Sequence, residues 1–238
     1  MYAFYDSLSF NSDILLDLPF REGVESTTQD VAKPHHPVTL VGGPTWTPII
    51  SGLGTLVFDG ATQYAQLLNA DTLDLDFTAG DYSLSSWIYW EHGSTSQQLI
   101  SRYDVDVAFS GWEWYLTEYG GQFHLTLRHH HAGTIVSGHP RTGGNSLGWA
   151  QGVWTHAAVS RIGAVAQHFR NGVAVDMTYS PGGMVDPESC AEDLVIGTRF
   201  TKNTDWFKGN MWRPRVWGRA LSAEEWKIIY DIEKRWFT

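Results

Sequence analysis

Two groups of side chains in this sequence have the types and spacing to make a site. The first is histidine. His129, His130 and His131 are consecutive, and two-residue alternation along a strand puts His124, Arg128 and His130 on one face. Two same-face imidazoles can ligate a transition metal or sense pH. Alternation also sends His129 and His131 to the opposite face, and no cysteine or third same-face histidine completes a tetrahedral set. A solvated strand end therefore explains the run more cheaply. The second group is aromatic. Trp87 and Tyr89 fall opposite Tyr82, Leu84 and Ile88, and Trp206 with Phe207 closes a polar loop. Flat rings beyond those one core face needs either stack on sugars, anchor a protein partner, or pack beneath another segment of the same chain.

Nucleophilic chemistry has little support. Cys190 sits in DPESCAED, an acidic setting that raises a thiol pKa, and there is no Gly-x-Ser-x-Gly elbow or phosphate-binding loop. A single cysteine also excludes an internal disulfide. The net charge of −10 argues against nucleic acid or an anionic membrane as partner. No apolar run reaches membrane-spanning length, and MYAFYDSLSFNSD lacks the basic and apolar regions of a secretory signal.

The elements that must position these residues are strands. Apolar and polar residues alternate over short stretches between Gly, Asn, Asp and Pro clusters, which predicts strands at residues 13–20, 38–41, 53–58, 64–68, 82–90, 99–103, 111–117 and 122–130. Further strands are expected at 154–161, 167–170, 173–178, 194–197 and 208–217. Asp59-Gly60 predicts a hairpin between 53–58 and 64–68, Tyr119-Gly120-Gly121 a second, and Asn171-Gly172 a tight turn. Residues 21–48 are expected to run over the surface with only the short strand at 38–41. Ser222 with Glu225 forms a capping box, and Leu221, Trp226, Ile229, Tyr230 and Glu233 recur at helical spacing, so the chain should end in a short helix. No linker or repeat divides the chain, so it reads as an N-terminal arm, residues 1–12, and one domain, residues 13–238.

Seven segments, in order, resemble the laminin G-like members of the concanavalin A-like superfamily: LLDLPF (15–20), LVFDG (56–60), YSLSSWIYW (82–90), VWTHAAVSR (153–161), FRNGVAV (169–175), LVIGTR (194–199) and FKGNMWRPRVWGRALSAEEW (207–226). The resemblance implies an all-β, two-sheet antiparallel jelly-roll sandwich. It also implies rim calcium held by carboxylates and carbonyls, for which Asp30, Asp59 and Asp205 are the candidates, although Asp59 before a glycine equally suits a plain turn. Glycosidases on this scaffold carry strand carboxylates in patterns such as ExDxxE. Here the nearest are Asp104 with Asp106, which lack a neighbouring Glu, and Glu224-Glu225, which belongs to the helix cap.

The expected function is thus a non-catalytic binding or structural module contacting a glycan or protein surface through Trp87, Tyr89, His124, Arg128, His130 and Trp206. Its setting would be a phage virion, as a capsid-decoration or tail protein reaching the outside by lysis, with the arm pairing neighbouring copies into a homo-oligomer that meets capsid or tail proteins. A secreted lectin and a glycoside hydrolase are the alternatives.

Overall fold

The computed structural model describes residues 8–24, 26–49, 51–132, 141–144, 149–179 and 183–237. Two antiparallel sheets face each other. One is eight-stranded: β14 (Val173–Ala174), β13 (Val165–Arg170), β12 (Thr155–Ile162), β7 (Tyr82–Trp90), β17 (Lys208–Trp217), β5 (Gly54–Asp59) and β4 (Thr45–Pro48), with β1 (Ile14–Asp17) also paired to β17. The other is nine-stranded: β15 (Met177–Tyr179), β11 (Arg141–Gly144), β10 (Gln122–His129), β9 (Ser110–Tyr119), β8 (Ser96–Asp104), β16 (Leu194–Ile196), β6 (Tyr64–Leu67), β3 (Pro37–Val41) and β2 (Thr27–Gln29). This is the expected jelly-roll sandwich, with one short helix, α1 (Ala223–Glu233), near the C-terminus. No helix among the described residues is long and apolar enough to cross a membrane.

Alternation decides which side chains fill the space between the sheets. Tyr82, Leu84, Ile88 and Trp90 of β7 meet Trp112, Trp114 and Leu116 of β9 and Leu125 and Leu127 of β10 in one buried cluster. Phe77 stacks flat on Tyr82 at 4.3 Å between ring centres, adding a directional contact to the area buried. His129 also faces inward. Its Nδ1–H donates to the Val185 carbonyl at 2.6 Å, which leaves Nε2 to accept the Tyr82 hydroxyl, also at 2.6 Å.

A second cluster holds α1 on the outer face of the eight-stranded sheet. Trp226 and Ile229 pack on Ala158, Phe169 and Trp217, and Phe10 joins them. The capping box is present: Ser222 Oγ accepts the Glu225 amide while Glu225 accepts the Ser222 amide. The Trp217 indole N–H donates to the Phe10 carbonyl at 2.7 Å, and Trp226 to Ser160 Oγ at 2.8 Å. Residues 9–12 of the expected arm therefore lie against the domain, while residues 1–7 lie outside the described residues.

Three expectations need correction. The histidine run is not a solvated strand end, because His129 and His130 are fully buried. Asp59-Gly60 does not join a hairpin, because β5 belongs to the eight-stranded sheet and β6 to the nine-stranded one; the turn carries the chain across the sandwich. Its Asp59 carboxylate accepts the amides of Ala61, Thr62 and Gln63 together with the Thr62 hydroxyl, a local scaffold for the crossing. The segment 21–48 also contains β2 and β4, which pair by edge hydrogen bonds too short for alternation to register.

Gly111 fixes the start of β9 beside the site described below. Its φ is +81°, and a Cβ there would stand 2.1 Å from the Arg102 carbonyl oxygen. Its own carbonyl accepts the His130 amide at 2.8 Å. Gly111→Ala is expected to cost about 2 kcal/mol or more in thermal unfolding. Gly120→Ala, at φ +62° with open space around it, should cost less.

Candidate functional site

The outer face of the nine-stranded sheet is polar because the same alternation that buries Trp112, Trp114 and Leu116 turns Glu113, Tyr115 and Thr117 outward. In register, Arg128 stands opposite Glu113 and Thr126 opposite Tyr115, with Gln98 of β8 opposite Tyr115 on the other side. A cleft of about 230 Å³ opens here.

Glu113 is its centre. The carboxylate is almost fully buried, and each oxygen is held: Oε2 accepts Gln98 Nε2 at 2.6 Å, and Oε1 accepts His130 Nε2 at 3.0 Å, with the Arg128 guanidinium 3.5 Å away. Burial alone would raise this carboxyl, but the hydrogen bond and charge of His130, the charge of Arg128 and the Gln98 amide outweigh it and hold it below the usual range. Burial keeps the His130 imidazole below its ordinary value, against the pull of Glu113. Its Nε2–H donates to the Glu113 carboxylate. Tyr103 stacks on His130 at 4.9 Å with 12° between planes, so the braces are themselves braced.

Asp205 closes the cleft from the loop between β16 and β17. Its backbone is in the left-handed region, φ +54°, and its carbonyl accepts the Gln98 amide at 3.0 Å, which locks the loop over β8. Burial raises the Asp205 carboxyl; Arg199 opposes that rise and Glu113 adds to it. A carboxyl held below its ordinary range and one raised above it thus share a small cleft.

The structure brings Arg128, His130 and Asp205 together here. His124 lies on the same face, buried, with Tyr119 against its ring. Trp87 lies elsewhere, under the end of α1, its indole donating to Glu233 at 2.8 Å and its ring stacked on Phe237 at 4.0 Å. Tyr89 packs against Trp154, and Trp206 against Tyr64 on β6. The residues the sequence did not single out are Glu113, Gln98, Tyr103 and Tyr115. Parity along β9 carried the signal for Glu113 and Tyr115, whereas the pairing of Glu113 with Asp205 depends on a loop that no local pattern places.

The calcium candidates do not form a cage. Asp30 is buried and spends its oxygens on the amides of Asp17, Ala32 and His36 and on His36 Nδ1, and Asp59 spends its own on the turn above. A cation would have to displace those donors, so these carboxylates do not fit it. Among the described residues no three His, Cys, Asp or Glu side chains are grouped to hold a metal. Cys190 is buried, and that burial raises its thiol pKa.

Comparison with known proteins agrees with the fold. The family model Laminin_G_3, of the concanavalin A-like lectin/glucanases superfamily, matches residues 59–225, more than half of the chain. The chain belongs to that family. No curated protein sequence matches this laminin G-like domain. Among solved structures, the botulinum neurotoxin serotype C1 binding domain superposes with a TM-score of 0.68 at 12% identity, over 94% of this chain and 53% of its own. A botulinum neurotoxin type C structure, whose uptake into cells is described as dependent upon interaction with two ganglioside molecules, gives 0.66 at 13% identity over 94% and 52%. The neurotoxin DC binding domain in complex with SialylT gives 0.63 at 13% identity over 94% and 52%. This domain spans about half the length of these structures, and at such identities the likeness shows the fold alone. Those neighbours are binding domains.

Proposed function

We propose that this laminin G-like domain is a non-catalytic glycan-binding module whose site is the cleft around Glu113. The observation that carries the reading is the rigid bracing of Glu113 by Gln98, His130 and Arg128, because hydrogen-bonding groups fixed before a ligand arrives lower the ordering cost of binding. Gln98 Oε1 is buried and has no donor, an acceptor suited to a sugar hydroxyl. The cleft is small, so it takes a terminal sugar rather than an extended chain. The ligands printed for two of the structural neighbours, gangliosides and SialylT, support the same ligand class.

Binding rather than hydrolysis is favoured because the Glu113 carboxylate is buried and braced by Gln98 and His130 instead of standing open to a sugar ring. Placement of the module on a virion belongs to the same proposal. Its support is a likeness to phage capsid-decoration and tail modules, and mass spectrometry of purified particles checks it.

The test is an array of immobilised neutral and sialylated oligosaccharides. The wild-type domain should bind a subset, and Arg128→Ala should lose about tenfold or more in affinity, in line with the roughly 2 kcal/mol expected for a charge-assisted hydrogen bond. Captured oligosaccharide should be recovered uncut. Silence across the array, or equal binding by Arg128→Ala, would overturn the reading.

A further inference from the structure

On the opposite side of the molecule, a cavity of about 450 Å³ lies between the end of α1 and the outer face of the eight-stranded sheet. Its size falls within the roughly 300–1,000 Å³ of small-molecule sites. The walls are apolar: Trp212 from β17, Ile232 and Trp236 from the helix end, and Leu53, Val31 and Pro19 from neighbouring loops. Ile232 and Trp236 keep 44% and 37% of their surface exposed, with the Arg235 guanidinium 5.1 Å from the Trp236 ring centre.

Polar groups at the cavity are unevenly satisfied. Arg213 is spoken for, in a two-pronged pair with Asp17 and a third bond to Glu233. Arg21 and Arg235 also line the cavity, are exposed, and have no ion-pair partner among the described residues. The Trp212 indole nitrogen is a buried donor without an acceptor, although the residue is only 5% exposed. A chain of charge −10 thus presents, at this apolar cavity, two guanidinium groups without an ion-pair partner and one N–H without an acceptor among the described residues.

We infer that this cavity is a second ligand site and takes an apolar monocarboxylate, its hydrocarbon body against Trp212, Trp236 and Ile232 and its carboxylate between Arg21 and Arg235. A neutral apolar ligand would leave both guanidinium groups and the indole donor unanswered. A polyanion would have no use for the apolar walls. A carboxylate supplies the charge that the two lining arginines lack.

Isothermal titration of the full chain with dodecanoate tests this, with dodecanoate methyl ester as the uncharged comparison. The acid is expected to bind saturably with one equivalent per chain. The ester should bind at least tenfold more weakly, as should the acid to the Arg21→Gln/Arg235→Gln variant, whose two exposed substitutions leave folding intact by circular dichroism. Arg128→Ala, on the opposite face, should bind the acid like wild type. Absence of saturable binding, equal binding of acid and ester, or indifference to the double substitution would overturn the inference. Glycan binding at the Glu113 cleft is read independently of all three outcomes.

Discussion

Replacing Glu233 with alanine should lower the unfolding free energy by about 3–5 kcal/mol, the range for removing one member of a buried ion pair. Glu233 is buried at the end of α1 and accepts from three residues of the sheet beneath. These are Arg213 Nη1 at 2.9 Å, Arg215 Nη2 at 3.0 Å, and the Trp87 indole at 2.8 Å. The geometry originates in β17. A bulge between Trp212 and Arg215, with Arg213 at φ +55°, turns two arginines from one strand toward the same carboxylate. Burial would raise that carboxyl, but Arg215 and Arg213 outweigh it and keep it ionised. Without Glu233, Arg213 retains Asp17, whereas Arg215 is left charged and buried with no counter-charge. Urea unfolding measures the effect. Glu225→Ala, which removes half of the capping box, should cost only about 1 kcal/mol. A Glu233→Ala loss below that of Glu225→Ala would contradict the network's role.

The second large effect is acid destabilisation driven by two buried neutral histidines. His156 is enclosed among Trp87, Trp226 and Tyr230, and burial lowers its pKa to about 3, with Glu233 pulling upward and Arg215 downward. His129 is lowered to about 4, first by burial, while its bond to Val185 opposes. Both folded values lie below the ordinary 6.5, so the unfolded chain takes up protons first. Their contribution is complete above about pH 6.5 and is lost as pH falls toward the folded values. At pH 4 each should cost roughly 3 kcal/mol. His36 has the opposite sign. Burial lowers it, but its hydrogen bonds to Asp30 and Asp74, at 2.8 and 2.9 Å, outweigh burial and raise it to about 9. Its stabilisation is complete below pH 6.5 and is lost as pH rises through 9. Urea midpoints across pH should therefore fall steeply below pH 6 and again as pH rises from about 6.5 to 9. His156→Phe, which removes the ring nitrogens from an aromatic enclosure, should flatten the acid limb. An unchanged acid limb in that variant would assign the loss to the carboxylates instead.

Much of this architecture was legible in the sequence, because its signals are local. The alternation of YSLSSWIYW marks β7 over the span observed, and Ser222 with Glu225 marks the start of α1. Parity on β10 correctly separated His124, Arg128 and His130 from Leu125 and Leu127. What escaped was non-local. Whether a turn such as Asp59-Gly60 closes a hairpin or crosses between sheets depends on where both strands find partners, and β5 finds β17, about 150 residues later. Glu113 looked like one polar residue among aromatics, since its significance comes from Gln98, His130 and a loop carrying Asp205. Trp87 looked like spare aromatic surface because the helix end that covers it lies at the far end of the chain.

A crystal of the domain soaked with the best-binding oligosaccharide from the array locates the site most directly. A terminal sugar is expected in the cleft of the nine-stranded sheet, with one hydroxyl on Gln98 Oε1 and another group on Arg128. Sugar bound at the rim loops, or against Trp236 on the opposite sheet, with the Glu113 cleft empty, would contradict it.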